Sequence, residues 1–406
     1  MGETTVTAGG LVHIGLVTGE YPPHQGGVGD FSRELGRALA DLGHQVHVIT
    51  SKSEISNPKS QISGVTVHRA IKGWGWGCWR QVLALAQELE LDVLNLQYQA
   101  AAYRMHPAVN FVRRRHGHLP VVVTFHDLKV PYLFPKAGPL RWHVVRMLAR
   151  RADGVIVTNR EDYVRLEGEI PAARLSLIPI GSNIPPIPPP GYDRDAERAC
   201  WGIGADDLLL GYFGFLNESK GGEELMRALA ILRDRGVPAH LLMVGGRLGS
   251  SDPANRAYAE RVDGLIKELG LEERVHWTEY TRPAQVTAGL LATDVCVLPY
   301  RDGVSFRRGT LHACLAHGRA LVTTRPAVPL PEVRDGENML LVQPGDPRGL
   351  ADAVTRLSAH AEGSPESDPA DVAALRARLE AGAAVLAAEF TWERIARQTA
   401  AFFRRL

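Results

Sequence analysis

His13-Ile-Gly-Leu-Val-Thr-Gly19 is followed directly by Glu20-Tyr-Pro-Pro-His-Gln-Gly-Gly-Val-Gly29, then by 30–42, then by Gly43-His-Gln-Val-His-Val-Ile-Thr50. An apolar run, a paired-glycine loop, an amphipathic segment and a second apolar run are thus strung together without a break. Val28, Phe31, Leu35, Leu39 and Leu42 recur at helical spacing, so one face of that helix packs on a sheet. Strand, glycine loop and helix N-terminus make a βαβ opening in which backbone N–H groups can face an anion. Gly26 and Gly27 carry no side chain, so a sugar or phosphate can approach the main chain closely. A tight turn that only joins strand to helix fits the same residues.

Working outward, the same alternation continues. Strands are expected at 12–17, 46–50, 65–68, 93–96, 121–125, 155–158 and 175–180, with helices at 28–42, 79–90, 107–116 and 140–149. Such alternation implies a mostly parallel sheet covered on both faces. The stretch Gly181-Ser-Asn-Ile-Pro-Pro-Ile-Pro-Pro-Pro-Gly-Tyr192 then interrupts it. Proline lacks the backbone donor and fixes φ, so this reads as a semi-rigid connector. Alternation resumes with strands at 208–213, 240–244, 275–278, 295–298, 320–323 and 340–342, and helices at 221–235, 255–269, 350–358, 370–388 and 392–405. The Gly-, Ser-, Pro- and Glu-rich segment 359–369 reads as a surface loop.

The expected fold class is therefore α/β: two Rossmann-like, doubly wound domains facing each other across a cleft. The expected boundaries are 11–182 for the N-terminal, acceptor-side domain and 183–204 for a Pro-rich linker. A C-terminal donor domain spans 205–388, and a last helix, 389–406, crosses back to the first domain. Ligands of such sheets sit beyond the carboxyl ends of the strands. A chain of 406 residues accommodates two such cores.

Composition excludes several classes. Lys+Arg 46 against Asp+Glu 45 leaves no bulk basic field, so a nucleic-acid partner is not expected. Cys78, Cys200, Cys296 and Cys314 form no C-x-x-C pair and lie in or near apolar segments, which fits buried thiols in a reducing compartment and no metal site. No apolar run is long enough to span a membrane, and the start of the chain lacks the pattern of a signal peptide. The default is a cytoplasmic protein.

Three segments carry candidate chemistry. In Gly214-Phe-Leu-Asn-Glu-Ser-Lys-Gly221, a strand ends and Lys220 stands where a helix starts. A lysine at that corner can pair with a phosphate favoured by the helix N-terminus; alone, it reads equally as a solvated loop lysine. In 294–318, a loop after a strand carries Ser305, Phe306, Arg307 and Arg308, and a helix begins near Gly309-Thr310. Guanidinium forks, a hydroxyl and helix-start amides make a diphosphate pocket there. Positive charge at a helix N-terminus is unfavourable to the dipole, so an anionic ligand explains these arginines better than surface decoration. In the first half, Thr124-Phe-His-Asp127 sets His126 just past a buried strand, for hydrogen bonding or proton transfer. A structural hydrogen bond explains that histidine as well. The helix 140–151 mixes aromatic, apolar and basic residues and reads as a core helix with a basic outer face, and the run at 113–116 as a basic helix end.

Taken together, the segments resemble the retaining, nucleotide-sugar-dependent glycosyltransferases of the two-Rossmann-domain (GT-B) class, and glycosyltransferase family 4 in particular. The resemblance runs through Tyr21-Pro-Pro-x-x-Gly-Gly-Val-Gly29, Gly43-His44, Thr124-Phe-His-Asp127, Lys220-Gly221, 317–323, 331–338 and Pro344-Gly-Asp-Pro347. It implies that Gly26 and Gly27 face the donor and that His126 lies near the donor sugar. It implies that Lys220 neutralises the leaving diphosphate, and that the amides around Phe306–Thr310 hold it. It also implies that no metal or cofactor is needed, the nucleotide diphosphate-sugar being a co-substrate. Two departures stand out. Phe215 occupies a position where the family usually has arginine, and Val304 and His312 occupy the positions of two glutamates that bind donor sugar and ribose hydroxyls. Arg307 and Arg308 then supply the charge, and Ser305, Thr310 and His312 the hydrogen bonds.

The expected activity is transfer of a sugar from a nucleotide diphosphate-sugar to a hydroxyl acceptor, with retention, His126, Lys220 and Arg307 being the catalytic candidates. The acceptor class is a carbohydrate, a lipid-linked molecule or a small hydroxyl compound, with weak peripheral contact to the inner membrane face allowed. The alternative is a catalytically impaired sugar-nucleotide or glycan-binding protein on the same fold.

Overall fold

Runs of valine, isoleucine and leucine form strands buried on both faces, as a helix-covered parallel sheet requires. The computed structural model describes residues 10–24, 26–52, 59–62, 64–112, 119–128, 140–247, 253–359 and 368–406. It divides into two compact units, the chain up to Asn183 with Thr391–Leu406, and Ile184–Phe390.

In the first unit the strands are β1 (His13–Val17), β2 (Gln45–Ser51), β3 (Lys59–Ile62), β4 (Val65–Ile71), β5 (Val93–Tyr98), β6 (Val121–Phe125), β7 (Gly154–Val157) and β8 (Leu175–Leu177). They form an 8-stranded sheet in the order β3-β4-β2-β1-β5-β6-β7-β8. Strand β3 alone among these runs antiparallel to its neighbour. Lys59-Ser-Gln-Ile has no apolar alternation, which is why the sequence reading passes over it; a polar edge strand of this kind discourages pairing with other chains. The helices are α1 (Gly27–Asp41), α2 (Cys78–Glu88), α3 (Leu140–Arg151) and α4 (Arg160–Leu166). The helix expected at 107–116 is a single short turn over Pro107–Asn110. Residues 113–116, most of 359–369 and the chain before Gly10 lie outside the described residues. The basic face of α3 is partly neutralised, since Arg146 and Arg150 both pair with Glu169.

In the second unit, α5 (Arg194–Ala199) precedes β9 (Leu208–Phe213), α6 (Gly222–Asp234), β10 (Ala239–Val244), α7 (Pro253–Glu268), β11 (Val275–Trp277), α8 (Pro283–Ala292) and β12 (Val295–Leu298). Then come α9 (Gly309–Ala316), β13 (Ala320–Thr324), β14 (Leu340–Val342), α10 (Pro347–Thr355) and α11 (Pro369–Ala387). The sheet is parallel, in the order β11-β10-β9-β12-β13-β14. Strand order reverses between β9 and β12, so the loops leaving these two strands meet at the switch point where such sheets bind ligands. Lys220 follows β9, and Arg307 and Arg308 follow β12.

Residues 184–204, expected as linker, cluster with the second unit. A main anchor is Arg198 on α5, only 2% exposed. It donates to the carbonyls of Ala292, Gly204 and Asp207 and pairs with Asp294 at 3.0 Å. The last helix, α12 (Trp392–Phe403), belongs to the first unit and packs Ile395, Ala396, Ala400, Phe402 and Phe403 with Leu35 and Leu39 of α1. Its Trp392 indole donates to the Ser182 carbonyl at 2.6 Å. Cys78, Cys296 and Cys314 are buried thiols as expected, whereas Cys200 is exposed just past the end of α5. Among the described residues no helix is long and apolar enough to cross a membrane.

Candidate active site

In the second unit, β9 ends at Gly214, whose φ of +119° suits glycine. A Cβ there would lie 2.8 Å from Lys220 Nζ and 2.6 Å from Thr310 Cγ2. Backbone, ammonium and the first turn of α9 therefore converge around one bare α-carbon. The lysine loop is stapled from below. Arg301 donates its amide to the Ser219 carbonyl at 3.0 Å, and its guanidinium binds Glu218, Glu223 and Glu224 at 3.0, 2.8 and 2.7 Å. Lys220 itself has no carboxylate partner among the described residues. Burial, and then the like charge of Arg308, pull its pKa down to about 7.

The twin arginines are not the free cations that the sequence suggested. Asp302, which the sequence reading did not select, accepts from Arg307 at 2.6 Å and from Arg308 at 2.5 Å. Its position five and six residues upstream in the same loop was the available signal. Arg308 also lies over the Tyr300 ring at 4.5 Å and reaches the Ser219 hydroxyl at 3.4 Å. The Tyr300 hydroxyl is 2.7 Å from that of Thr310. The pocket therefore keeps positive charge while one carboxylate orients both forks. Arg308 Nε, buried, has no hydrogen-bond partner among the described residues, which is costly unless a ligand supplies an acceptor.

Helix α9 starts at Gly309 with Arg308 as its cap residue and no side-chain cap. Of the amides expected to hold a diphosphate, that of Arg308 is already given to the Ser305 carbonyl at 3.2 Å. Ser305 and Phe306 are buried, and Val304 is an apolar wall. His312 is buried too, with Nε2 2.7 Å from the Phe306 carbonyl and its ring edge-on to Phe390 at 4.7 Å. A carbonyl only accepts, so Nε2 carries the hydrogen and Nδ1 is an acceptor, with no partner among the described residues. Burial lowers the His312 pKa to about 4, leaving the ring neutral near pH 7.

Gly26, Gly27 and His126 belong to the first unit. The amides at the start of α1, expected to face a ligand anion, are partly occupied from within the chain. Glu20 Oε1 accepts from the amides of Val28 and Gly29 at 3.2 and 3.4 Å. A Cβ on Gly26 would sit 2.1 Å from that carboxylate, so the glycine makes room for Glu20. Gly27 has open space around its Cα. His126 stands at the end of β6 with Nε2 2.9 Å from Gln97 Oε1 and its ring edge-on to Phe31 at 4.6 Å. Gln97 gives its amide nitrogen to Asn95 Oδ1, and Asn95 Nδ2 binds the Thr124 hydroxyl at 2.8 Å. That direction of donation assigns the hydrogen to His126 Nε2. Desolvation lowers the His126 pKa to about 3, so it is a neutral, oriented imidazole near pH 7.

Comparison with known proteins bears on the fold and the family. The family described as Glycosyltransferase Family 4 matches residues 25–184, and that described as Glycosyl transferases group 1 matches residues 207–360. A D-inositol 3-phosphate glycosyltransferase from Corynebacterium diphtheriae is 26% identical over 90% of this chain and 87% of its own length. The enzyme of the same description from Thermomonospora curvata is 25% identical, covering 91% and 88%. Among solved structures, a sucrose-phosphate synthase from Thermosynechococcus elongatus superposes with a TM-score of 0.73 at 23% identity, over 97% of this chain and 98% of its own. HepE from Anabaena, solved with UDP and glucose, gives 0.71 at 19% identity, over 97% of this chain and all of its own. The chain belongs to the GT-B glycosyltransferases of family 4 type.

Proposed function

We propose that this glycosyltransferase moves a sugar from a nucleotide diphosphate-sugar to a hydroxyl acceptor, retaining the anomeric configuration and using no metal ion or cofactor. One observation carries the reading: Lys220, with no carboxylate of its own among the described residues, stands beside Arg308 and the first turn of α9 at the sheet's switch point. Preorganised cations and amide dipoles of this kind stabilise charge that builds on a departing diphosphate. Arg307 and Arg308, held by Asp302, add positive charge. Ser305, Thr310 and the acceptor nitrogen of His312 offer hydrogen bonds to donor hydroxyls. In the first unit His126 offers a neutral imidazole to the reacting sugar, and Gly26 and Gly27 leave the main chain approachable.

The HepE structures contain UDP, glucose or UDP-glucose, which makes UDP-glucose the first donor to test. The relatives described as acting on D-inositol 3-phosphate place phosphorylated polyols among the first acceptors. Calorimetry with a panel of nucleotide diphosphates, followed by an assay for released nucleotide, tests the reading. Tight binding with no release across many acceptors overturns transfer as the activity.

Two expectations follow from the titrating groups. Below pH 7 Lys220 is already an ammonium; above it, a bound diphosphate has to draw a proton onto the amine. UDP-glucose affinity is therefore highest below pH 7 and falls as pH rises through 7, with proton uptake on binding visible in buffers of different ionisation enthalpy. An affinity that is flat from pH 6 to 9 contradicts this. For His126→Ala, turnover falls about tenfold, the worth of one hydrogen bond gained in the transition state, while donor affinity changes less. Between pH 5 and 8 the wild-type rate shows no limb from His126, because it is neutral throughout.

A further inference from the structure

Three tryptophans lie close together in Gly73-Trp-Gly-Trp-Gly-Cys-Trp79, the segment that leaves β4 and enters α2. Two behave as core residues. Trp74 is 6% exposed and gives its indole N–H to the Ser51 hydroxyl; Trp79 is 9% exposed and gives its own to the Val109 carbonyl. Trp76 is the opposite: 70% exposed, with no hydrogen bond to its indole among the described residues. Leaving so large an apolar surface in water forgoes the gain of burying it.

Trp76 is nonetheless held in place. Its ring lies 5.1 Å from that of Phe111, itself 37% exposed, and edge-on to His106 at 6.1 Å. His106 Nδ1 accepts the Ala108 amide hydrogen, so its Nε2 carries the proton, near Gly75. These loops follow β4 and β5, at the carboxyl edge of the sheet that also carries His126. The two segments that carry these rings hold charge of one sign. Lys72 and Arg80 flank Trp76, four residues to either side, and Arg104 precedes His106 by two; all three are exposed. No Asp or Glu occurs in 65–87 or 93–112.

We propose that Trp76, Phe111 and His106 form an acceptor platform that stacks on the C–H face of a sugar ring, with Lys72, Arg80 and Arg104 receiving an anionic group on that sugar. A six-membered sugar presents one flat apolar face and a polar edge, which matches an indole face with a donor-bearing, cationic rim. A membrane-inserting surface needs a broader apolar patch. Here the large apolar side chains exposed at this edge, among the described residues, are Trp76 and Phe111. The proposal rests on the transfer reading above and names its acceptor as an anionic sugar.

The test titrates the full chain with glucose 6-phosphate and glucuronate, and with methyl glucoside, inorganic phosphate and phosphatidylglycerol vesicles as controls. The wild type is expected to bind at least one anionic sugar saturably, and at least about tenfold more tightly than methyl glucoside or phosphate alone. Trp76→Ala weakens that binding by about tenfold or more, and Trp76→Phe, which keeps a ring, by less than about threefold. Both variants keep the wild-type circular dichroism, because the side chain is exposed. Three results overturn the platform: no saturable binding of either anionic sugar, binding unchanged in Trp76→Ala, or Trp76-dependent binding of vesicles in place of sugars. UDP-glucose titrated into the same samples separates the two readings. Its failure to bind anywhere speaks against the donor site, whereas normal UDP-glucose binding without sugar binding speaks against Trp76 alone.

Discussion

Lys220→Ala is expected to lower turnover by about 10²–10³, the usual loss when one preorganised donor to a developing anion is removed. The ammonium stands against Gly214 and Thr310 without a carboxylate of its own among the described residues, so its charge is left for a ligand. Donor KM is expected to change less than kcat, because the negative charge on the diphosphate grows as the glycosidic bond breaks. Lys220→Arg does not restore the rate. The guanidinium is wider than the ammonium, and a Cβ on Gly214 would already lie within 3 Å of both Nζ and the Thr310 methyl. Steady-state rates of nucleotide release, with folding checked by thermal melting, decide the matter. A folded Lys220→Ala enzyme that keeps a third or more of wild-type turnover removes Lys220 from the mechanism.

Arg198→Ala has the largest expected effect on stability. Its guanidinium satisfies three backbone carbonyls and pairs with Asp294, which also binds the Leu209 amide at the start of β9. Truncation leaves those acceptors buried without a donor and Asp294 with less compensating charge. Breaking a buried pair from one side costs about 3–5 kcal/mol. For a unit of this size that corresponds to a melting point lower by about 10 °C. Urea unfolding of the full chain reads it out; a loss below about 1 kcal/mol sinks the account of how 184–204 is held.

Arg198 also marks where sequence reading stops. Proline-rich 181–192 reads correctly as neither helix nor strand, yet the helix behind it, 194–199, is too short to show a periodic face. It is attached to the second unit by contacts with residues far along the chain, the buried Arg198 and the Arg194–Asp294 pair among them. Strand β3 escaped notice for a similar reason, since Lys59-Ser-Gln-Ile takes its conformation from hydrogen bonds to β4 and not from its own pattern. Lys220 and Thr310 were legible as strand-end and helix-start residues. Their meeting around Gly214 was not, because it depends on β9 and β12 being neighbours in the sheet. The partners of Asp302 and Glu20 were not legible either. The structure shows each held by donors of its own chain, Asp302 by two arginines and Glu20 by two amides.

Periodicity, glycine and proline punctuation and motif order by themselves determined the two doubly wound sheets and the loops that leave their strands. These are local properties, written in the spacing of apolar residues and in backbone freedom. Tertiary structure alone decided which charges are spent inside the chain and which remain for a ligand. Asp302 orients both arginines and Glu20 takes two amides of α1, while Lys220 and the indole of Trp76 have no such partner among the described residues. A side chain's partners are set by what the fold brings within hydrogen-bonding distance, and no linear pattern encodes that distance.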